Sequence, residues 1–509
     1  MRRSIYLINP KESVLGWHSM EVLEAWNIAR AVNFADLATP TVAALVPPSW
    51  DITICDERLQ PVDFKTPAEV VGLTGKISQR ERVLELAAEF RKRGKLVLIG
   101  GSAASLMPDE FRPHADILVT GEIEEIAGRL FADIEAGTYK PHYEGGRPDL
   151  KLSPVPRWDL YPYPALRAQI QTSRGCPFEC EFCDVIQYLG RKQRWKEPEQ
   201  VIAELDLLYV RGYRHVMLAD DNFTVMRRRA RELLQQLRAW NESRLAGPVQ
   251  FSTQLSIDLA RDPELLQLCV DANLRTAFVG IETPNAESLA ETMKRQNLRV
   301  DLAEEVRKIT RAGMMIISGI IVGFDHDGPD IFERQAAFIN SLPIPIIHFG
   351  TLVAPESTPL YARLKEEGRL TAKRYLGTGN FLQSNFRPKL MSEAQLDAGS
   401  RWLVNQIFAP EAYGQRLKLF VELCRPFERA DAIPRFGRME KALARRLAAF
   451  GERERRLVGL IEKLAWTRPD LSGHLGYALL AYCQARHMFE TYRVWDPELG
   501  RRDAPPLAA

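Results

Sequence analysis

An α/β protein with a mostly helical C-terminal region is predicted by three observations. Short apolar, β-rich runs alternate with amphipathic helices as far as about residue 390, which is how parallel strands joined by crossover helices read. A proline-rich stretch over 141–164 splits that alternation into a smaller and a larger series. Beyond residue 391 the strand signals stop, and helical sequence rich in Arg and Ala runs nearly to the end. The expected division is a Rossmann-like domain over 1–150, a Pro-rich linker over 151–167, a partial barrel over 168–390 and a helical domain over 391–509.

In chain order, the first strand is Ser4-Ile-Tyr-Leu-Ile8, ended by Asn9. Asp51-Ile-Thr-Ile-Cys55, Val70-Val-Gly-Leu-Thr74, Leu96-Val-Leu-Ile99 and Asp116-Ile-Leu-Val119 follow. A helix is expected over 79–93, with Ser78 as N-cap and Gly94 as the stop, because Val83, Leu86, Ala87 and Phe90 share one face. Near-continuous apolar strands mean a parallel sheet covered on both sides. Pro141, Pro148, Pro154, Pro156, Pro162 and Pro164 then read as a connection. Strand-like runs resume near Ala168, His215, Val249, Thr276, Met315 and Ile346, with helices expected over 198–211, 227–240 and 300–312. Six such units suggest a sheet curled into a barrel or partial barrel.

Composition excludes several function classes. The 509 residues are 46% hydrophobic and 26% charged, an ordinary globular balance. Against 68 Lys and Arg stand 66 Asp and Glu, a net charge of +2. That leaves no surplus of positive charge for a dedicated nucleic-acid binder. The longest apolar run, over 314–324, is shorter than the roughly 20 residues a bilayer requires. Asn9, Pro10 and Lys11 interrupt any signal-peptide core. A cytoplasmic protein without a transmembrane segment is expected. Seven cysteines, an odd number, do not make a secreted disulfide framework. Cys55, Cys269, Cys424 and Cys483 read as small buried hydrophobes.

The other three stand together, in Gln171-Thr-Ser-Arg-Gly-Cys176-Pro-Phe-Glu-Cys180-Glu-Phe-Cys183. The loop directly follows the first strand of the second series. Cysteine thiolates hold iron–sulfur clusters, usually four to a cluster. Three in one loop leave one iron of a 4Fe–4S cluster open to another ligand. A zinc site would normally close with a fourth ligand, and the nearest histidine, His215, falls inside an expected strand. The open cluster is the preferred reading, with a zinc or Fe–S module of no catalytic role as its rival.

This spacing, with the aromatic Phe182 before the third cysteine, resembles the radical S-adenosylmethionine (SAM) superfamily. The resemblance implies a partial (β/α)6 barrel, a 4Fe–4S cluster on Cys176, Cys180 and Cys183, and SAM at the open iron, cleaved to a 5′-deoxyadenosyl radical. It also implies SAM-binding roles for residues at successive strand ends. Asp220 and Asp221 would stand near the amino group, Glu282 of Val279-Gly-Ile-Glu282 at the ribose, and Gly319 and Gly323 beside the adenine. Arg194 would face the carboxylate. Taken singly, the glycines also read as packing positions, Glu282 as a capping group, and Asp220 or Asp221 as turn formers.

A Rossmann-like domain ahead of such a core resembles the cobalamin (B12)-dependent branch of that superfamily. The matching pieces end the strands of the first sheet: Val70-Val-Gly-Leu-Thr-Gly75, Leu98-Ile-Gly-Gly-Ser-Ala103 and Ala115-Asp-Ile-Leu-Val-Thr-Gly-Glu122. The resemblance assigns cobalamin contacts to Thr74, Gly75, Lys76, Ser78, Gly100, Gly101, Ser102, Ala103, Gly121 and Glu122. The 75–78 loop would lie under the corrin, and Gly100 and Gly101 along its nucleotide tail. No Asp-x-His-x-x-Gly motif occurs, so cobalt would have no protein histidine beneath it. A nicotinamide or flavin site lacks its G-x-G-x-x-G at the first turn, which reads Asn9-Pro-Lys-Glu-Ser13. A domain with no ligand stays open on the residues alone.

The region beyond 391 is similar to the extension of hopanoid and bacteriochlorophyll methylases, which implies an apolar or polycyclic small-molecule substrate. The expected activity is methylation of an unactivated carbon through the 5′-deoxyadenosyl radical and methylcobalamin, with an external reductant such as flavodoxin or ferredoxin. The alternative within the same chemistry is cyclisation or rearrangement without methyl transfer.

Overall fold

The computed structural model describes residues 3–506 apart from 163–164, 299, 376, 378–380 and 428–435. Ahead of most of the prolines lie β1 (Ser4–Asn9), β2 (Val32–Phe34), β3 (Asp51–Asp56), β4 (Val70–Thr74), β5 (Leu96–Gly100), β6 (Ile117–Thr120) and β7 (His142–Glu144). All but β2 form one parallel sheet in the order β3-β1-β4-β5-β6-β7. Successive side chains of a strand point to opposite faces, so Ile5 and Leu7 enter one core while Tyr6 and Ile8 enter another. The second core is closed by helix α1 (Arg80–Lys92), whose Val83, Leu86, Ala87 and Phe90 are buried as the spacing predicts. Ser78 does not cap it. It lies within a 3-10 turn, Ile77–Gln79, and Gln79 precedes the helix. Gly94, in the left-handed region at φ +71°, ends the helix as expected.

The proline stretch is packed rather than loose. Trp158 is buried, and its indole donates to Glu204 at 3.1 Å. The Tyr161 hydroxyl donates to Asp56 at 2.6 Å, across to the end of β3. The next strand, β8 (Ala165–Ile170), opens inside the stretch assigned to the linker.

After β8, β9 (Ser173–Arg174) and β10 (Arg194–Trp195) pair antiparallel. Then come β11 (His215–Leu218), β12 (Gln250–Gln254), β13 (Leu274–Glu282), β14 (Met315–Val322) and β15 (Ile346–Thr351), close to the predicted starts. The curled parallel sheet runs β15-β14-β13-β12-β11-β8-β2. Its seventh strand was not expected: Val32 and Phe34 of β2 pair with Ala165 and Arg167, so a segment of the N-terminal region extends the half-barrel.

The C-terminal helices include α2 (Glu393–Ile407), α3 (Pro410–Leu423) and the largely buried α4 (Ser472–Thr491). The His474 ring of α4 hydrogen-bonds Gln250 at 3.0 Å, at the start of β12. Gln484, further along α4, donates to Gly16 O (3.2 Å) and accepts from Val22 N (3.2 Å). Beside that contact Trp17 stacks on His348 of β15 and on Phe408. The N-terminal segment is thereby clasped between barrel and C-terminal helix. Among the described residues no helix is long and apolar enough to cross a membrane.

Candidate active site

The C-terminal ends of β4, β5 and β6 share a cleft of about 1410 Å³, open mouth included, with residues at and just after the end of β8. Parallel α/β sheets bind ligands at this end. Of the residues assigned to cobalamin, Thr74, Gly75, Lys76, Gly100, Gly101, Ser102, Gly121 and Glu122 line it. Ser78 and Ala103 stand apart from the lining. Ser78 packs against Gly377 and accepts a backbone hydrogen bond from Ser13 (2.9 Å). Ala103 is buried in its helix, its N–H donating to Gly75 O at 3.1 Å.

The glycines differ in what they permit. Gly101 is at φ +96°, and a Cβ there would lie 2.8–2.9 Å from Thr74 Oγ1 and the Gly75 backbone. Its freedom serves the close approach of two loops at the cleft wall. A Cβ on Gly100 meets only Val119, at 3.7 Å, so Gly100 leaves its space to the cleft. The Gly75–Lys76 turn is pinned from below: the Gln79 amide accepts from Lys76 N (2.9 Å) and donates to Asn9 Oδ1 (2.9 Å).

Glu122 corrects two expectations together. It is buried and pairs with Arg174 (2.5 Å) and with Arg194 (2.5 Å). Arg174 also reaches Glu124 at 2.7 Å. Arg194, expected at the SAM carboxylate, and Glu122, expected at cobalamin, are thus spent on one another where the two sheets meet.

The cysteine loop is held by backbone. Gly175, at φ +96°, would place a Cβ 2.7 Å from Lys192 O, so glycine is required where the loop opens. Cys176 N donates to Gly190 O (3.2 Å) and Glu181 N to Thr292 O (3.1 Å). Asp220 is fully enclosed: it accepts from Thr172 N (2.7 Å), Ser173 N (3.0 Å) and both hydroxyls. Asp221 accepts from Gly175 N at 2.8 Å, and burial raises its carboxyl to about 6. Both aspartates therefore brace the chain entering the loop.

Burial pushes the Cys183 thiol up to about 12 and raises that of Cys176. Enclosed thiols of this kind give up their protons when metal coordinates them. Among the described residues no three His, Cys, Asp or Glu side chains converge on one point that could hold a single ion. The thiols of a 4Fe–4S cluster each meet a different iron and need no common point. The donor set fits such a cluster.

Glu282 ends β13 at φ +66°, a strained conformation for a side-chain-bearing residue and one that recurs at functional sites. Its carboxylate receives the Lys294 ammonium at 2.6 Å. Gly280 makes room for this pair, since a Cβ there would lie 2.7 Å from Lys294 Nζ. Burial opposes the Lys294 charge, but the adjoining Glu282 carboxylate favours it, and its pKa is raised. Lys294 also lies 6.0 Å from the centre of the Phe182 ring. Gly319 opens toward the Phe278 ring (3.2 Å from a Cβ). Gly323 faces Leu396 of α2 instead, so it is a helix-packing glycine.

Three residues were missed by the sequence reading. Lys294 and Gln296, whose amide approaches Cys180 Sγ at 3.8 Å, sit in a short turn that carries no motif. Arg363 holds Glu181 of the cysteine loop (2.7 Å) and Asp325 (2.7 Å) from far along the chain.

Similarity to known proteins agrees with this geometry. The radical SAM superfamily model matches residues 170–339, and a domain of unknown function (DUF4070) matches 358–491. A Synechocystis protein named as an uncharacterized methyltransferase is 36% identical over 433 residues, spanning 82% of this chain and 79% of its own. The hopanoid C-2 methylase of Rhodopseudomonas palustris is 35% identical over 339 residues, 65% of this chain and 64% of its own. The cobalamin-dependent S-adenosylmethionine radical enzyme OxsB, solved with aqua-cobalamin, has the same fold: TM-score 0.61 over 96% of this chain and 80% of its own, at 14% identity.

Proposed function

Because this chain belongs to the radical SAM superfamily, we propose that it is a B12-dependent radical SAM methyltransferase acting on an unactivated carbon of a small, largely apolar molecule. One observation carries the reading. The glycine-lined cleft of the first sheet is shared with Gln169, Gln171, Arg174, Tyr188 and Leu189, which flank the cysteine loop of the second. A group bound in that cleft and a cluster on the cysteines would stand side by side. The methyltransferase relatives support the type of reaction.

Cys176, Cys180 and Cys183 would hold the cluster. Phe182, Glu282 and Gly319 would border SAM, while Thr74, Gly75, Lys76, Gly100, Ser102 and Gly121 would border cobalamin. Bound there, these groups supply an electron, a hydrogen-abstracting radical and a transferable methyl group. The protein's share is position. Asp220 and Asp221 fix the backbone that carries the cysteines, and Lys294 holds Glu282 in its strained turn. The Glu122–Arg174–Arg194 cluster locks the distance between the sheets. Clasping of residues 16–22 by α4 helps keep water from the reaction. A small external reductant is part of this proposal.

The test is anaerobic purification with iron, sulfide and cobalt analysis, followed by product mass. Near four irons, four sulfides and one cobalt per chain, with a product one CH2 heavier than its substrate, are expected. Zinc in a colourless protein would overturn the enzyme reading. A product of unchanged carbon count would overturn methylation and favour cyclisation or rearrangement.

A further inference from the structure

Deep in the half-barrel, below the site just described, lies a cavity of about 770 Å³, open space included. Much of its lining is apolar or aromatic: Phe34, Met217, Phe278, Ile317 and Tyr477. Into it projects one permanent charge, the guanidinium of Arg167, from the middle of β8.

Arg167 donates to Asn33 Oδ1 and lies 3.9 Å from the centre of the Tyr477 ring. Among the described residues no carboxylate pairs with it, and burial alone lowers its pKa. The titratable rings around it do not supply a counter-charge. Burial holds His18 and His474 to about 4 and His215 to about 3, so all three are neutral at physiological pH. Gln250, on the next wall, is engaged with His474. Arg416 is also enclosed without a carboxylate, held by Asn340 Oδ1 (2.8 Å) and Ile344 O (3.0 Å), but it lines none of the three cavities described. The arginines that meet a carboxylate are more numerous. Arg174 and Arg194 share Glu122, Arg58 has Asp56, and Arg486 has Glu454. A buried cation without an anion is strongly unfavourable, and guanidinium does not escape by losing its proton.

The cavity shares walls, through an intervening chamber, with the proposed active site. His18, Phe34, Met217 and Gln254 line both it and a larger chamber above. Asn9, Lys76, Gln79 and Gln169 line both that chamber and the cleft. Gln169 lies two residues beyond Arg167, on the same face of β8.

We infer that Arg167 binds a carboxylate at the far end of the substrate, whose apolar body lies along Phe34, Met217 and Phe278 toward the cysteine loop. The substrate class is therefore an amphipathic carboxylic acid, a deepening that rests on the proposed function. A planar carboxylate matches the fork of one guanidinium. A phosphate dianion would leave a second charge unpaired. The carboxylate would sit well below the reacting carbon, since Arg167 precedes Gln171 by roughly 13 Å of strand at about 3.3 Å per residue.

Calorimetric titration of the full chain, without SAM, with 2-naphthoate and its neutral isostere 2-naphthamide tests this. The acid should bind at least tenfold tighter than the amide. Arg167→Gln should erase that preference while leaving amide affinity within about twofold. Should that variant fold poorly, Asn33→Asp provides an independent arm: a carboxylate placed against Arg167 should abolish naphthoate binding and raise the melting temperature. Equal affinities in the wild type, no binding of either probe, a preference surviving Arg167→Gln, or undiminished naphthoate binding by Asn33→Asp would each overturn the inference. So would competition by inorganic phosphate as effective as that by naphthoate. A chain that shows the preference but takes up neither iron nor cobalt would sink the functional reading and leave this one standing.

Discussion

The two parallel sheets present the same end to the site and build it from opposite materials. At the edge of the first, Thr74, Gly75, Gly100, Gly101 and Gly121 offer mostly backbone, with Lys76 the cation among the assigned contacts that is not buried in a pair. At the mouth of the second, Asp220, Asp221, Glu282 and Lys294 are all enclosed and all partnered. The contrast has a physical reason. A large planar ligand gains most from close backbone approach, whereas a reactive cluster and a charged cosubstrate need fixed charges whose partners hold them still. Disruption should accordingly be local and chemical in the second sheet, steric in the first.

The largest effect should come from the cysteines. Replacing Cys176, Cys180 or Cys183 singly with Ala should abolish bound cluster and SAM cleavage, read as iron per chain and 5′-deoxyadenosine formed. Cys483→Ala, in the core of α4, should keep its iron. Retention of full iron by any of the first three would end the contrast at its source.

In the first sheet the matching change is Gly100→Leu, which fills the cleft where the native fold leaves room. Cobalt should be lost outright while iron stays at the wild-type level. Gly101→Leu should instead damage the Thr74–Gly75 loop and lower the melting temperature, because its Cβ meets protein rather than ligand. Equal cobalt in wild type and Gly100→Leu would show that the cleft is not where cobalamin binds.

Between the sheets, Glu122→Gln leaves the Arg194 guanidinium buried without a carboxylate, while Arg174 keeps Glu124. Such a break costs about 3–5 kcal/mol, measurable by chemical denaturation. A loss below about 1 kcal/mol would mean that the junction is not a structural lock.

The smallest effect sharpens the description of the barrel floor. Burial holds the His474 ring to about 4, below the free ring's value of about 6.5. As pH falls the unfolded chain therefore takes up a proton first. The stability this ring contributes is whole above about pH 6.5 and is lost as pH drops toward 4, about 2 kcal/mol of it between pH 7 and 5. His474→Asn should flatten the pH dependence of stability by that amount, and an unaltered slope would contradict the assignment.

What the sequence made legible was local. The cysteine spacing spans a single loop, and the strands of both sheets announce themselves because each is a short, near-continuous apolar run. The mouth of the barrel was legible in position but not in role. Glu282 and the two aspartates fall where strand ends predict, yet the hydrogen bonds that make Asp220 a brace come from residues about 48 positions away. Arg194 and Glu122 each looked like a ligand contact because an isolated charge at a strand end has no visible partner. Their partnership spans 72 residues. Similarly, three residues of β2 carry too little pattern to disclose that they extend the other sheet. Arg167 gave no signal, since its meaning lies in the carboxylate that no neighbouring element provides.

The clasp of Gln484 on Gly16 ties together residues 468 positions apart, and that sets a timetable for biosynthesis. At the roughly 5–20 residues per second of a ribosome, the N-terminal segment waits about 25–90 s before its partner helix is made. For most of that interval Trp17 has neither Phe408 nor α4 to cover it. The nascent chain must carry an incompletely covered tryptophan until α4 emerges, which makes that helix a folding step as well as a packing element.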